Sequence, residues 1–181
     1  MVDKNFEAGL VDRFAWRSDE VGVMQDLSGI FADPQILGHL GEALADLHRN
    51  EDVTLVLSPQ SQGWVLGPLV AQSLGVGFVQ AYKDVRGGDL ADGMYIRLTP
   101  PDYKNRVLAL SVRRRLIPAG ARVLIVDDWI ETGGQADALV RIIADAGADL
   151  VGVAALVDSS QTGTRARLGV RSLLRIEQLR R

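Results

Sequence analysis

The sequence predicts an α/β fold: a mostly parallel central sheet flanked by helices, behind a small N-terminal cap. Three observations lead there. Short apolar, β-branched runs alternate with helix-length segments along the chain. One run, VLIVDD at Val123 to Asp128, ends in two carboxylates and passes through paired glycines into an amphipathic helix. The 181 residues are 47% hydrophobic and 24% charged, the composition of one globular domain with a sizeable core.

The elements follow in order. Residues 1–29 carry Phe6, Phe14 and Trp16 without a sustained period and read as an irregular cap; residues 30–181 form the α/β core. Asp33-Pro34 opens a helix, with Asp33 as N-cap and Pro34 at the first helical position. Leu37, Leu40, Leu44 and Leu47 give that helix one apolar stripe, and His39 and His48 beside it read as surface or packing residues. VTLVLS at 53–58 has the length and β-branching of a buried strand. GWVLGPLVAQSLG is a helix despite its glycines, and VGFVQAY is the next strand. KDVRGGDLADG at 83–93, polar and glycine-rich, reads as a mobile loop, with MYIRL and VLALSV as strands bordering it. Residues 121–128 are the clearest strand, 135–148 the clearest helix with Leu139, Ile143 and Ala146 on one face, and LVGVAALVD a further buried strand.

Composition narrows the chemistry. With no cysteine there are no disulfides, thiol nucleophiles or cysteine zinc sites, and two histidines are too few for a histidine-rich metal centre. No stretch approaches the roughly 20 apolar residues of a membrane span. The N-terminal MVDKNFEAGLVDRF lacks the basic start and apolar centre of a secretory signal, so the cytoplasm is expected. A net charge of −3 gives no overall drive toward nucleic acid or membrane. Arg97, Lys104, Arg106, Arg113, Arg114, Arg115 and Arg122 nevertheless form a basic run, either a solvated face or a surface for a polyanion.

The stretch VLIVDDWIETGGQA, residues 123–136, carries the functional signal. Acids at the carboxyl end of a parallel strand sit where open α/β sheets bind ligands, and there Asp127 and Asp128 can accept hydrogen bonds from sugar hydroxyls or hold hydrated Mg²⁺. Glu131, Thr132, Gly133, Gly134 and Gln135 then lead into a helix N-terminus, whose unpaired N–H groups and dipole favour an anion. The glycines let the backbone close on a phosphate, and Thr132 adds a hydroxyl. Together these describe a ribose 5-phosphate.

The same stretch resembles the phosphoribosyl pyrophosphate (PRPP) signature of type I phosphoribosyltransferases. Weaker similarity to the adenine-type members runs from about Asp26 to Asp158, through QDLSGIFADPQILGHLGEALADL and SPQSQGWVLGPLVAQSLGVGFVQAYKD. The resemblance implies the type I phosphoribosyltransferase fold, with residues 1–29 as a hood over the acceptor site and a loop at about 84–105 that closes in catalysis. It implies PRPP and a nitrogenous base as ligands, Mg²⁺ as cofactor, a homodimer, and transfer of phosphoribose to nitrogen with release of pyrophosphate, a purine salvage activity. By position it implies Asp127 and Asp128 on the ribose hydroxyls or the metal's water shell, and Glu131 to Gln135 around the 5-phosphate. Ser61, Gln62 and Gly63 would form the pyrophosphate loop, with Lys83 reaching the same group.

Departures from the pattern matter. Adenine-type members carry Ala and Thr where this chain has Glu131 and Gln135; in hypoxanthine-guanine relatives the position of Glu131 is an acid that handles a proton near N7, which makes Glu131 a candidate general acid/base. Its alternative is a solvated acid favoured by the helix dipole. The usual loop arginine is Gln62 here, with Arg86 or Arg113 to Arg115 as candidates to compensate. LTPPDYKNRVLAL stands where a LEYG-type segment is expected, without its glutamate. Trp129 either packs beneath the phosphate turn or walls the acceptor pocket; Phe14 and Trp16 either stack on a heterocycle or plug the hood; Trp64 belongs to the core. The alternative function is a PRPP-sensing regulator of the same fold, with the basic run as a nucleic-acid face.

Overall fold

The computed structural model describes residues 4–19, 22–83, 93–101 and 106–179. A five-stranded parallel sheet forms its centre, in the order β4-β3-β7-β8-β9. The strands are β3 (Leu55–Pro59), β4 (Gly77–Ala81), β7 (Arg122–Ile130), β8 (Asp149–Asp158) and β9 (Val170–Arg175). Helices α4 (Gly63–Leu74), α5 (Gly134–Asp145) and α6 (Thr162–Leu168) connect β3 to β4, β7 to β8 and β8 to β9. All strand ends that follow the ligand-binding rule for parallel sheets therefore lie together.

Period-two alternation divides the core between two faces. Leu55, Leu57, Val123, Ile125, Val153 and Ala155 pack with Leu139, Ile142 and Ile143 of α5. Val56, Leu124, Val126, Ala154 and Leu156 pack with α4 and with α3 (Pro34–Asp46) on the other side. Strands covered on both faces read as continuous apolar runs, which is why they were legible.

Helix α3 starts at Pro34 as expected, and Asp33 Oδ1 accepts from the amides of Gln35 at 2.9 Å and Ile36 at 3.0 Å. The buried stripe is Ile36, Leu40, Gly41, Leu44 and Ala45, so Leu37 and Leu47 fall on its margins. His39 is exposed and His48 buried in packing.

The N-terminal segment is not irregular. It forms α1 (Lys4–Arg13), an antiparallel hairpin of β1 (Ala15–Asp19) and β2 (Gly22–Asp26), and the short α2 (Ser28–Ala32). Helix α1 buries only Leu10, and β2 is mostly exposed, so neither carries the periodic apolar signal that sequence reading depends on. Leu10 and Leu27 enter the same cluster as α3 and α4.

The strands expected beside the loop, MYIRL and VLALSV, are present. Strand β5 (Met94–Leu98) pairs antiparallel with β6 (Ala109–Arg113), a ribbon linked to the end of β4 through Tyr82 and Ser111. Arg97 Nη2 to Asp145 Oδ1 at 2.6 Å and Arg141 Nη2 to the Leu98 carbonyl at 2.6 Å fasten that ribbon to α5. Residues 84–92 and 102–105, the rest of the expected loop apart from 93 and 99–101, lie outside the described residues, and with them Arg86 and Lys104. Helix α6 and strand β9 had no counterpart in the sequence reading.

Candidate active site

Strand β7 delivers its acids to the middle of the sheet edge, between the ends of β3 and β8. Asp127 is 7% exposed, and its Oδ1 accepts from the Asp128 amide at 2.9 Å. Burial and the adjacent Asp128 carboxylate push Asp127 well above the ordinary aspartate range, with Lys83 pulling weakly the other way. A carboxyl held neutral in a cleft costs little to bury and ionises when a cationic group or metal approaches.

The turn after β7 has the shape its glycines require. Gly133 sits at φ 79°, where a Cβ would stand 2.7 Å from Thr164 Cγ2. Thr132 Oγ1 accepts from the Gly134 amide at 3.3 Å, the first step into α5. Gln135 Oε1 is buried without a hydrogen-bond partner, an acceptor left for a group the protein does not itself supply. Asp137, in the first turn of α5, is held by Arg167.

Across the edge, the turn after β3 runs through a cis peptide between Gln60 and Ser61. Gln60 takes the Ala81 carbonyl through its amide at 3.0 Å, and its side-chain oxygen accepts from the Lys83 amide at 3.3 Å. The loop after β3 and the residue after β4 are thus tied together. Gly63 is buried, and a Cβ there would approach the Val126 carbonyl to 3.2 Å, so it lets α4 close on β7.

A cavity of about 890 Å³ gathers these parts. Ser61, Gln62, Lys83, Asp127, Asp128 and the whole run Glu131 to Gln135 line it. The sequence reading missed the rest of its wall: Arg17, Gln25 and Asp26 from the hood hairpin, Phe31 from α2, and Thr99, Pro100 and Arg106 from the ribbon. Only Asp26 offered a local signal, since an acid two residues before Ser28 caps a turn; its Oδ1 accepts from the Ser28 amide at 2.9 Å.

Of the two readings of Trp129, the geometry favours the wall of the cavity. The residue lines the cavity, donates from Nε1 to Ser159 Oγ at 2.9 Å, and stacks on Phe14 with ring centroids 6.2 Å apart. Phe14 and Trp16 meet edge to face at 5.1 Å and support Trp129 from outside the cavity lining, as a plug rather than a platform. Trp64 is half-buried, with Nε1 on the Ser58 carbonyl at 3.2 Å and its ring against Tyr82.

The basic run is dispersed. Arg97 is on Asp145, Arg114 reaches the Met94 carbonyl and covers Tyr95, and Arg122 donates to the carbonyls of Glu51 and Asp52. Of the run's described members, Arg106 lines the cavity; Arg113, Arg114 and Arg115 do not.

Known proteins are similar to this chain in sequence and fold. The chain is 34% identical over 146 residues to adenine phosphoribosyltransferase of Streptomyces coelicolor, covering 81% of this chain and 78% of that one. It is 34% identical over 152 residues to xanthine phosphoribosyltransferase of Brevibacillus brevis, covering 81% and 77%. The crystal structure of adenine phosphoribosyltransferase from Rhodothermus marinus superposes with a TM-score of 0.80 at 27% identity, over 96% of this chain and 99% of that one. Residues 26–179 match the phosphoribosyl transferase domain, from the end of the hood hairpin through the last strand of the sheet, and the chain belongs to that family.

Proposed function

We propose that this chain transfers the 5-phosphoribosyl group of PRPP to a ring nitrogen of a purine and releases pyrophosphate. One observation carries the reading: the paired acids of β7, the glycine turn opening α5, the Ser61-Gln62 turn and Lys83 all line a single cavity. A ribose, a 5-phosphate and a pyrophosphate need those three kinds of subsite side by side.

In this reading Asp127 and Asp128 orient the ribose hydroxyls, and the turn from Glu131 to Gln135 holds the 5-phosphate on the N–H groups of α5. Ser61, Gln62 and Lys83 receive the pyrophosphate; Arg86 is a candidate for the same role, and Gly63 shapes the loop. The C1–O bond breaks with its electron pair departing on pyrophosphate, while the purine nitrogen's lone pair forms the new C1–N bond. Glu131, exposed at the cavity rim, takes the proton that the nitrogen gives up. Trp129 walls the acceptor side beside the hood hairpin and helps keep water from the ribosyl centre.

Mg²⁺ fits this donor set. Two adjacent carboxylates line the cavity, and among the described residues no group of three or more metal-ligating side chains exists. A magnesium ion held mainly by substrate oxygens and water, with Asp127 and Asp128 reached through water, suits such a site. When bound it would neutralise charge on the departing pyrophosphate.

The acceptor is a purine because the named relatives act on adenine and xanthine. Glu131 and Gln135 set the chain apart from the adenine pattern and keep a 6-oxopurine in view. A regulatory role is disfavoured, since Arg97, Arg114 and Arg122 of the basic run are engaged with internal partners. We place the protein in the cytoplasm as a homodimer; no helix among the described residues is long and apolar enough to cross a membrane.

The test is pyrophosphate formation from PRPP and Mg²⁺ with adenine, hypoxanthine, guanine and xanthine. One or more bases should support turnover, and Asp128→Asn should lower it severely. Absence of pyrophosphate with every purine overturns the reading.

A further inference from the structure

We propose that Arg106, on the ribbon rather than in the phosphate turn, supplies the cation for the donor's 5-phosphate; this rests on the proposed reading of the cavity.

The turn itself is short of positive charge. Glu131, Thr132, Gly133, Gly134 and Gln135 offer amides and one hydroxyl, and Glu131 adds a negative charge beside a phosphate that is close to a dianion. Asp137 adds another acid to the first turn, though Arg167 already holds it. Helix-dipole attraction of a fraction of a unit charge leaves a dianion in such surroundings incompletely balanced.

The ribbon brings a cation to that place. Its end touches the turn: a Cβ on Gly134 would lie 3.6 Å from Pro100 Cδ. Strand pairing extends to this end, because the Thr99 amide donates to the Leu108 carbonyl at 2.8 Å and the Leu108 amide donates to Thr99 Oγ1 at 3.0 Å. Arg106 stands two residues before Leu108 in the chain and lines the same cavity as Pro100, Thr132 and Gly134. The fastening of Leu98 and Arg97 to α5 keeps the ribbon end beside the helix whose N-terminus receives the phosphate.

The other cations of the cavity belong to other ends of the ligand. Lys83 follows β4, close enough to Asp127 for its charge to be felt there. Arg17 stands on the hood hairpin and acts on Asp26. Gln62 contributes an amide where a charge was expected, so Lys83 is needed at the pyrophosphate end. An arginine fork on a phosphate is bidentate and charge-assisted, which a lysine or amide does not reproduce.

The experiment measures binding of ribose 5-phosphate, PRPP and inorganic pyrophosphate by titration calorimetry to the wild type, Arg106→Gln and Arg106→Lys. Loss of one charge-assisted contact should weaken ribose 5-phosphate and PRPP by about tenfold each in Arg106→Gln. Arg106→Lys should recover part of that loss, and pyrophosphate affinity should not change. The salt dependence of ribose 5-phosphate binding should flatten in Arg106→Gln. Unchanged ribose 5-phosphate affinity, or a loss confined to pyrophosphate and PRPP, overturns the assignment while leaving the reading of the cavity intact. A wild type that binds neither PRPP nor ribose 5-phosphate overturns both.

Discussion

Gly152 on β8 leaves room for the ring of His48: a Cβ at that position would stand 2.6 Å from His48 Cε1 and 3.0 Å from the Gly169 carbonyl. The ring fills the gap with both nitrogens engaged, Nδ1 at 2.8 Å from Glu51 Oε2 and Nε2 at 3.3 Å from the Val153 carbonyl. Arg171 on β9 bonds Glu51 from the other side, so the end of α3 is pinned to two strands. Gly152→Ala should therefore cost about 1–3 kcal/mol through overpacking. Urea unfolding should show a lower midpoint with an unchanged slope.

Asp158, at the end of β8, is 1% exposed and meets Arg165 Nε at 2.7 Å, Arg175, and the Ser160 amide at 2.7 Å. Burial pushes its carboxyl upward, but the bonds from Ser160 and Arg165 and the charge of Arg175 outweigh that and hold it below the ordinary aspartate range. A carboxyl depressed on folding stabilises fully above its unfolded value, and the stabilisation drains away as pH falls through the folded one. Asp158→Asn should cost about 3 kcal/mol at neutral pH, the low end for a broken buried pair because both arginines keep roughly a third of their exposure. Unfolding curves should show the wild type's margin over the variant shrinking below about pH 4.

Gly133→Ala tests the turn. The substitution meets both a positive φ of 79° and a contact of 2.7 Å with Thr164. It should destabilise the fold by about 1–3 kcal/mol and weaken PRPP binding, because the amides that open α5 move with the strained residue. Calorimetric titration of PRPP alongside thermal unfolding reads both effects.

Glu131→Ala tests the proton transfer. Removing a general acid/base should lower kcat by about a hundredfold and flatten one limb of the pH–rate profile, with little change in the KM for PRPP. A solvated acid without that role would leave the profile intact.

The sequence made the central strands and the glycine turn after β7 legible for a physical reason. Strands buried on both faces are short apolar runs, and paired glycines at a strand-to-helix junction have few other uses. The cavity's remaining wall was not legible. Gln25 and Asp26 lie on β2 and Thr99 just past β5, strands that are largely exposed, and Arg106 stands ahead of β6, so no apolar period announced them. Trp129 shows the same limit: its place in a strand was clear, but its choice of Phe14 as a stacking partner joins positions 115 residues apart in the chain. Arg113 to Arg115 stood out as a charge run, yet the single arginine at 106 reaches the cavity, because the ribbon's pairing decides which side chains arrive there.

Strand β7 has a hydrogen-bonded neighbour on each side, whereas β1 with β2 and β5 with β6 form separate two-stranded sheets. The chain thus keeps its acids on the part of the molecule where amide protons should exchange slowest, and mounts the walls around them on parts where exchange should be quickest. Such a division sets the acids and the glycine turn on the most stably hydrogen-bonded part of the chain and leaves their surroundings the part that opens at least cost.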